Sequence, residues 1–175
     1  MVDARKLVFY GAVSLDGYLA RENDSLDWLF RTEGDGADNG YGDFYATVNT
    51  ILMGRRTYDW ILQHGEFPYT GKQSYVLTQS RSGTDENVEF VNEDIVRFTK
   101  SLKAKAGGRI WMVGGGQTLQ PLLYENLVDE LILQIAPVII GGGIPLFIAG
   151  ELDLDFSLVD IKRYNQFAEL RYEHK

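Results

Sequence analysis

Short unbroken apolar runs alternate along this chain with stretches that repeat at helical spacing, and that alternation predicts an α/β fold. Leu7 to Val13 is a run of strand formers, as expected of a central strand buried on both faces. It stops at Ser14-Leu15-Asp16-Gly17, where Asp-Gly signals a turn, and Tyr18-Leu19-Ala20 resumes the apolar character. Residues 21 to 42 are polar and rich in glycine, with Trp28 and Phe30 embedded. Disordered segments are poor in aromatics, so this stretch is expected to be a lid, mobile over residues 21 to 36, with Trp28 packing over a substrate. Asp43 to Thr50 reads as a short helix carrying Phe44 and Val48 on one face, and Thr50 to Met53 as a brief strand.

The strand–turn–helix unit then recurs. Gly54-Arg55-Arg56-Thr57 leads into a helix with Tyr58, Ile61 and Leu62. Ser74 to Leu77 is a strand that leaves through Thr78-Gln79-Ser80-Arg81, and Val88 to Val91 is a further short strand. Asn92 or Asp94 caps a helix bearing Ile95, Phe98 and Leu102, which Gly107-Gly108 stops. Arg109 to Val113 is a strand, Gly114-Gly115-Gly116 a turn, and Leu119, Leu122 and Leu123 mark a helix with Pro121 in its first turn. Val128 to Ile140 reads as a long strand region broken by Pro137. The second glycine run, Gly141-Gly142-Gly143, precedes a proline rather than a helix, so no phosphate site is expected there. Ser157 to Tyr164 and Phe167 to Glu173 read as a hairpin joined at Asn165-Gln166. The expected fold is a mostly parallel central sheet flanked by helices and closed by a C-terminal antiparallel hairpin.

Composition narrows what such a fold does. The 175 residues suit one domain, residues 1–175, large enough for a real core. A net charge of -8 argues against nucleic acid or an anionic membrane as the main partner, so an anionic ligand must be met by locally concentrated arginines. The absence of cysteine excludes disulfides, iron–sulfur clusters and thiol catalysis, and two histidines leave no His-rich metal site. No apolar run approaches ~18 residues, and the first ten residues lack a signal-peptide core, so a cytoplasmic protein is expected. Pro137 to Ile140, with Pro145-Leu146-Phe147, is more apolar than one sheet face needs, which points to a homodimer.

Three strand ends carry the chemistry: Gly54-Arg55-Arg56-Thr57, Thr78-Gln79-Ser80-Arg81 and Gly114-Gly115-Gly116-Gln117-Thr118. Parallel strands place all three on one sheet edge, with two helix N-termini and several arginines facing one cleft. Cations at a helix start oppose the dipole unless an anion is bound, so the cleft suits a dinucleotide. An ordinary Rossmann fingerprint fits poorly, since its third glycine falls on Leu119 and the motif lies two-thirds along the chain.

Met53-Gly54-Arg55-Arg56-Thr57-Tyr58 followed by Ile110-Trp111-Met112-Val113-Gly114-Gly115-Gly116 resembles the dihydrofolate reductase fold superfamily in motif and spacing. With Ala12-Val13-Ser14-Leu15-Asp16-Gly17, it is more similar to the reductase domain of bifunctional riboflavin-biosynthesis proteins and their stand-alone relatives. The resemblance covers nearly the whole chain. It implies an NADPH site in which Arg55 meets the 2′-phosphate. Thr57 and the turn Gly115-Gly116-Gln117-Thr118 would hold the pyrophosphate, with Gly54, Arg56 and Val113 in the same two motifs. The Ala12-Val13 backbone would border the nicotinamide, and Thr78 and Arg81 would flank the adenosine end. The implied activity is hydride transfer to a C=N or C=O carbon of a small heterocyclic substrate, protonated from Asp43, Asp16 or water. Two other readings stand beside it: a pyrimidine reductase of riboflavin synthesis, and a nucleotide-binding protein without catalysis. The chain departs from true dihydrofolate reductases in lacking the Pro-Trp pair after the first strand. It also has Lys72 where that family grips the folate tail with arginine.

Overall fold

A computed structural model describes residues 4–175. One nine-stranded sheet organises the chain, in the order β10-β11-β8-β1-β7-β3-β4-β6-β5. Its centre is β1 (Leu7–Val13), paired in parallel with β7 (Arg109–Gly114) on one side and β8 (Glu130–Ile135) on the other. Beyond β7 follow β3 (Val48–Gly54), β4 (Gln73–Leu77) and β6 (Glu89–Val91), all parallel, with β5 (Gly83–Thr84) antiparallel at that edge. The C-terminal hairpin is present: β10 (Phe156–Tyr164) turns through Asn165, at φ 54°, into β11 (Phe167–His174), which pairs antiparallel with β8. A separate two-stranded sheet joins β2 (Tyr18–Ala20) to β9 (Ile144–Pro145).

Helices cover both faces, which is why the central strands read as unbroken apolar runs. Helices α4 (Ile95–Lys103) and α5 (Gly116–Tyr124) pack Phe98, Leu102, Leu119 and Leu122 against Leu7, Phe9 and Met112. On the other face α2 (Tyr41–Ala46) and α3 (Arg55–His64) pack Phe44 and Tyr58 against Val8, Tyr10, Ile51 and Trp111. This second layer is strongly aromatic, with Tyr10 stacked on Phe44 at 4.2 Å and edge-on to Trp111 at 5.9 Å between ring centroids.

Four expectations are corrected. The helix expected over Asp43 to Thr50 ends at Ala46, where the Thr47 hydroxyl bonds back to the Phe44 carbonyl at 2.7 Å; from Val48 the β-branched run joins the sheet. The strand region expected over Val128 to Ile140 stops at Ile135, because the Val138 N–H folds back onto the Ala136 carbonyl around the donorless Pro137. Pro121 lies in the second turn of α5, not its first, since the helix starts at Gly116. Finally, Trp28 of the short α1 (Asp27–Phe30) is completely buried against Ala136 and Phe167, so it anchors its segment rather than facing a substrate.

Candidate functional site

Strands β3 and β7 are neighbours whose chains leave in opposite directions. From β3 the chain enters α3, whose Tyr58 and Ile61 pack on one face; from β7 it enters α5, whose Leu119, Leu122 and Leu123 pack on the other. A crevice opens beyond the carboxyl ends of strands at such a switch point, and there open α/β sheets place ligands. This one holds about 1410 Å³. That exceeds the roughly 300–1,000 Å³ of a drug-sized pocket and leaves room for a dinucleotide beside a second small molecule.

The two helix heads at the crevice are uncapped. Gly54 precedes α3 in extended backbone and Gly115 precedes α5 at φ 96°; neither offers a capping side chain, and neither first turn contains an acidic residue. Helix α4 shows the contrast, since the Asp94 carboxylate accepts from the Arg97 N–H at 2.8 Å. The unpaired N–H groups and positive dipole ends of α3 and α5 therefore face open space, which is the arrangement that binds phosphate. The heads are also close together. A Cβ built on Gly54 would fall 2.7 Å from Thr118 Oγ1, and one on Gly115 would fall 3.2 Å from the same atom. One on Gly116 would meet the Pro145 carbonyl oxygen at 2.6 Å, so β9 lies directly against the head of α5.

Cations and hydroxyls extend the phosphate side. Arg55 donates from Nη1 to Ser80 Oγ at 2.8 Å and from Nε to Asp59 at 3.2 Å, which ties the head of α3 to the exit of β4. Arg56 pairs at 2.8 Å with Asp24, which precedes α1.

Of the residues singled out from sequence, the crevice wall includes Ala12, Gly54 to Thr57, Thr78, Val113 and Gly115 to Thr118. Four others lie elsewhere. Val13 points into the core. The Arg81 guanidinium lies 5.4 Å from the Phe90 ring centroid, off the wall. Asp43 is exposed in the first turn of α2, also off the wall. Asp16 accepts from Ser14 Oγ at 2.7 Å and from the Ile140 and Gly141 N–H groups at 3.2 and 2.8 Å. The Ser14 hydroxyl, followed by those backbone donors, holds the Asp16 carboxyl below its usual range. It is therefore an ionised acceptor that ties the first turn to the second glycine run, not a proton donor.

The opposite wall was missed. It consists of Leu26, Leu29, Trp60, Ile61 and Tyr69, with Ile144, Pro145 and Ile148 beside the head of α5. Two signals were available. Thr57, Trp60 and Ile61 share a face at helical spacing. The second glycine run permits a close backbone approach, since a Cβ on Gly143 would fall 2.2 Å from the Ala20 carbonyl oxygen.

A mostly parallel sheet closed by antiparallel C-terminal strands, with paired glycine-led helix heads at the switch point, defines a protein of the dihydrofolate reductase-like class. Within that class the chain belongs to the RibD C-terminal domain family, whose model matches residues 5–168. It is 44% identical to the uncharacterized protein YwjB of Bacillus subtilis (strain 168) over 96% of this chain and 97% of that one. Among solved structures it is similar to the "Putative riboflavin biosynthesis protein" of Shewanella sp. PV-4, with a TM-score of 0.87 and 29% identity over 97% of this chain and 99% of that one. The bifunctional diaminohydroxyphosphoribosylaminopyrimidine deaminase/5-amino-6-(5-phosphoribosylamino)uracil reductase of Thermotoga maritima shares the fold. Its TM-score is 0.73 and its identity 14%, and the match covers 98% of this chain and 57% of that one. Among the described residues no helix is long and apolar enough to cross a membrane.

Proposed function

We propose that this protein is an NADPH-dependent reductase acting on a C=N or C=O bond of a small heterocyclic substrate. The observation that carries the proposal is the pair of uncapped helix heads, Gly54–Thr57 and Gly115–Thr118, meeting across Thr118 Oγ1. That cradle fits a pyrophosphate: it is glycine-lined, rich in donors, and without a carboxylate in either first turn. Thr57 and the Gly116–Thr118 turn hold the pyrophosphate in this reading, Arg55 and Ser80 take the 2′-phosphate, and the Ala12 backbone borders the nicotinamide. NADPH, when bound, supplies a hydride. Among the groups facing that position none is a free acid, so water admitted through the open crevice supplies the proton. Family membership and the reductases among the structural relatives support the same reading.

The test is a comparison of two cofactors. The Arg55 side chain is 47% exposed, and a charge-assisted hydrogen bond of that kind contributes about 1.5–3 kcal/mol. Arg55→Ala should therefore weaken NADPH binding by about ten- to a hundredfold while leaving NADH binding nearly unchanged. Quenching of tryptophan emission reads both affinities. Equal losses would assign Arg55 to the shared pyrophosphate, and no loss would remove it from the site.

A pyrimidine reductase of the riboflavin pathway is the second reading, favoured by the name of the Shewanella relative. The protein acts as a homodimer in either case, a reading supported by Ile139 and Phe147, which are 70% and 48% exposed beside the second glycine run. Light scattering should find the dimer at micromolar concentration; a monomer there contradicts it.

A further inference from the structure

The crevice is chemically divided. One side carries the helix heads, hydroxyls and arginines. The other, formed by α1, the inner face of α3 and the loop after it, presents Leu26, Leu29, Trp60, Ile61 and Tyr69. Among the described residues, Arg55 and Arg56 are the cations on the whole crevice wall, and both sit at the head of α3 on the phosphate side. Three carboxylates, Asp24, Glu93 and Asp94, share that wall.

Cations flanking the apolar side are committed elsewhere. Lys72 follows Tyr69 closely in the chain, yet its ammonium donates to the Val48 and Tyr45 carbonyls at 2.6 and 3.3 Å and lies 4.5 Å from the Tyr45 ring centroid. It holds the end of α2 and cannot also grip an anionic tail. Arg21, before α1, is paired with Asp27 at 2.5 Å, and Arg31, after it, reaches the same carboxylate at 3.8 Å. An anionic group placed on the apolar side would lose its hydration and find no partner there.

We infer that this apolar side receives an uncharged, planar, conjugated ring bearing a carbonyl or imine, and that it discriminates against substrates carrying a phosphate or other anion. The inference rests on the proposed assignment of the opposite side to the dinucleotide. It also separates this chain from a reductase of phosphorylated pyrimidines. Trp60 and Tyr69 supply aromatic surface for such a ring, and Tyr69 supplies a hydroxyl. Burial pushes the Tyr69 phenol up, so at neutral pH it is a neutral donor suited to a carbonyl oxygen or ring nitrogen. Reduction of the ring adds one hydride from the cofactor and one proton from water. One double bond is lost, and two electrons balance with no other reactant.

A matched pair of probes tests this: 1,4-naphthoquinone and its 2-sulfonate, which share the ring and differ in charge. Each is titrated calorimetrically into wild-type protein saturated with NADP⁺, after a titration of NADP⁺ alone. The neutral quinone should bind at least about tenfold more tightly, since a lost charge partner in a desolvated site is worth that much. Leu26→Lys, which adds a cation to the apolar wall, should close most of the gap by strengthening sulfonate binding. Equal affinities, or a preference for the sulfonate, would overturn the inference even with NADP⁺ bound normally. Failure of NADP⁺ to bind would instead overturn the cofactor reading. A gap that Leu26→Lys leaves unchanged would show that the selectivity arises on another wall and overturn the placement. The wild-type comparison stands even if that variant does not fold.

Discussion

Ser80 and Arg81 are adjacent, yet their side chains have different surroundings. Ser80 accepts from Arg55 Nη1 at 2.8 Å and lines the crevice, whereas Arg81 is drawn over the Phe90 ring at 5.4 Å. A charged side chain near a binding motif invites assignment to the ligand, but a guanidinium also finds a favourable seat on an aromatic face. The hydroxyl is therefore the group placed to extend a phosphate site begun by Arg55. Ser80→Ala should weaken NADPH binding by about five- to tenfold, as befits one hydrogen bond of about 1 kcal/mol, and leave NADH unaffected. Arg81→Ala should change neither affinity beyond about twofold, as expected of a substitution away from the site. The same titrations of tryptophan emission read both variants, and a reversed order would return the adenosine end to Arg81.

At the scale of elements, the segment from residue 21 to α1 is held at three points. Arg21 pairs with Asp27, Asp24 pairs with Arg56 across the crevice mouth, and Trp28 is fully buried between Ala136 and Phe167. An aromatic residue in a long polar loop fits a lid or an anchor equally well in sequence. The two differ only in what lies opposite, and here that is the turn after β8 and the start of β11, more than a hundred residues away in the chain. Trp28→Ala should cost about 3–5 kcal/mol, the usual range for removing a large buried aromatic. That is a substantial share of a total stability of about 5–15 kcal/mol. Urea unfolding should show it as a lower midpoint. A loss below about 1 kcal/mol, within the range of ordinary surface changes, would mean that the tryptophan leaves its pocket readily and that the segment moves as a lid.

Across the whole molecule, legibility followed the range of the interactions. The parallel strands, both glycine-led helix heads and the C-terminal hairpin depend on local pattern: apolar runs buried on both faces, glycine at a strand end, and Asn165 at a tight turn. They could be read directly. The apolar crevice wall depends on β2 pairing with β9 and on α1 docking near β11, contacts between distant segments that no local period encodes. The aromatic layer under α2 and α3 is another such product of assembly, and it has a consequence for the molecule as a whole. Burial, the leading cause in each case, raises the phenols of Tyr41 and Tyr58 to about 12; the hydrogen bond from Tyr58 to Asp85 adds to the second. It also pushes up Tyr10 and Tyr69 in the same layer. Unfolded tyrosines release their protons near pH 10. Above that pH the native state therefore holds more protons than the unfolded chain, and stability falls as pH rises. The contribution is fully present below about pH 10 and is lost as pH climbs through the raised native values. Urea midpoints should accordingly drop steeply between pH 10 and 12, with phenolate absorbance growing in step with unfolding rather than ahead of it. Tyr41→Phe removes one of these protons while keeping the ring, so its midpoint should fall less steeply over the same window. An identical slope in wild type and variant would mean that the Tyr41 phenol ionises in the folded protein as freely as in the unfolded one.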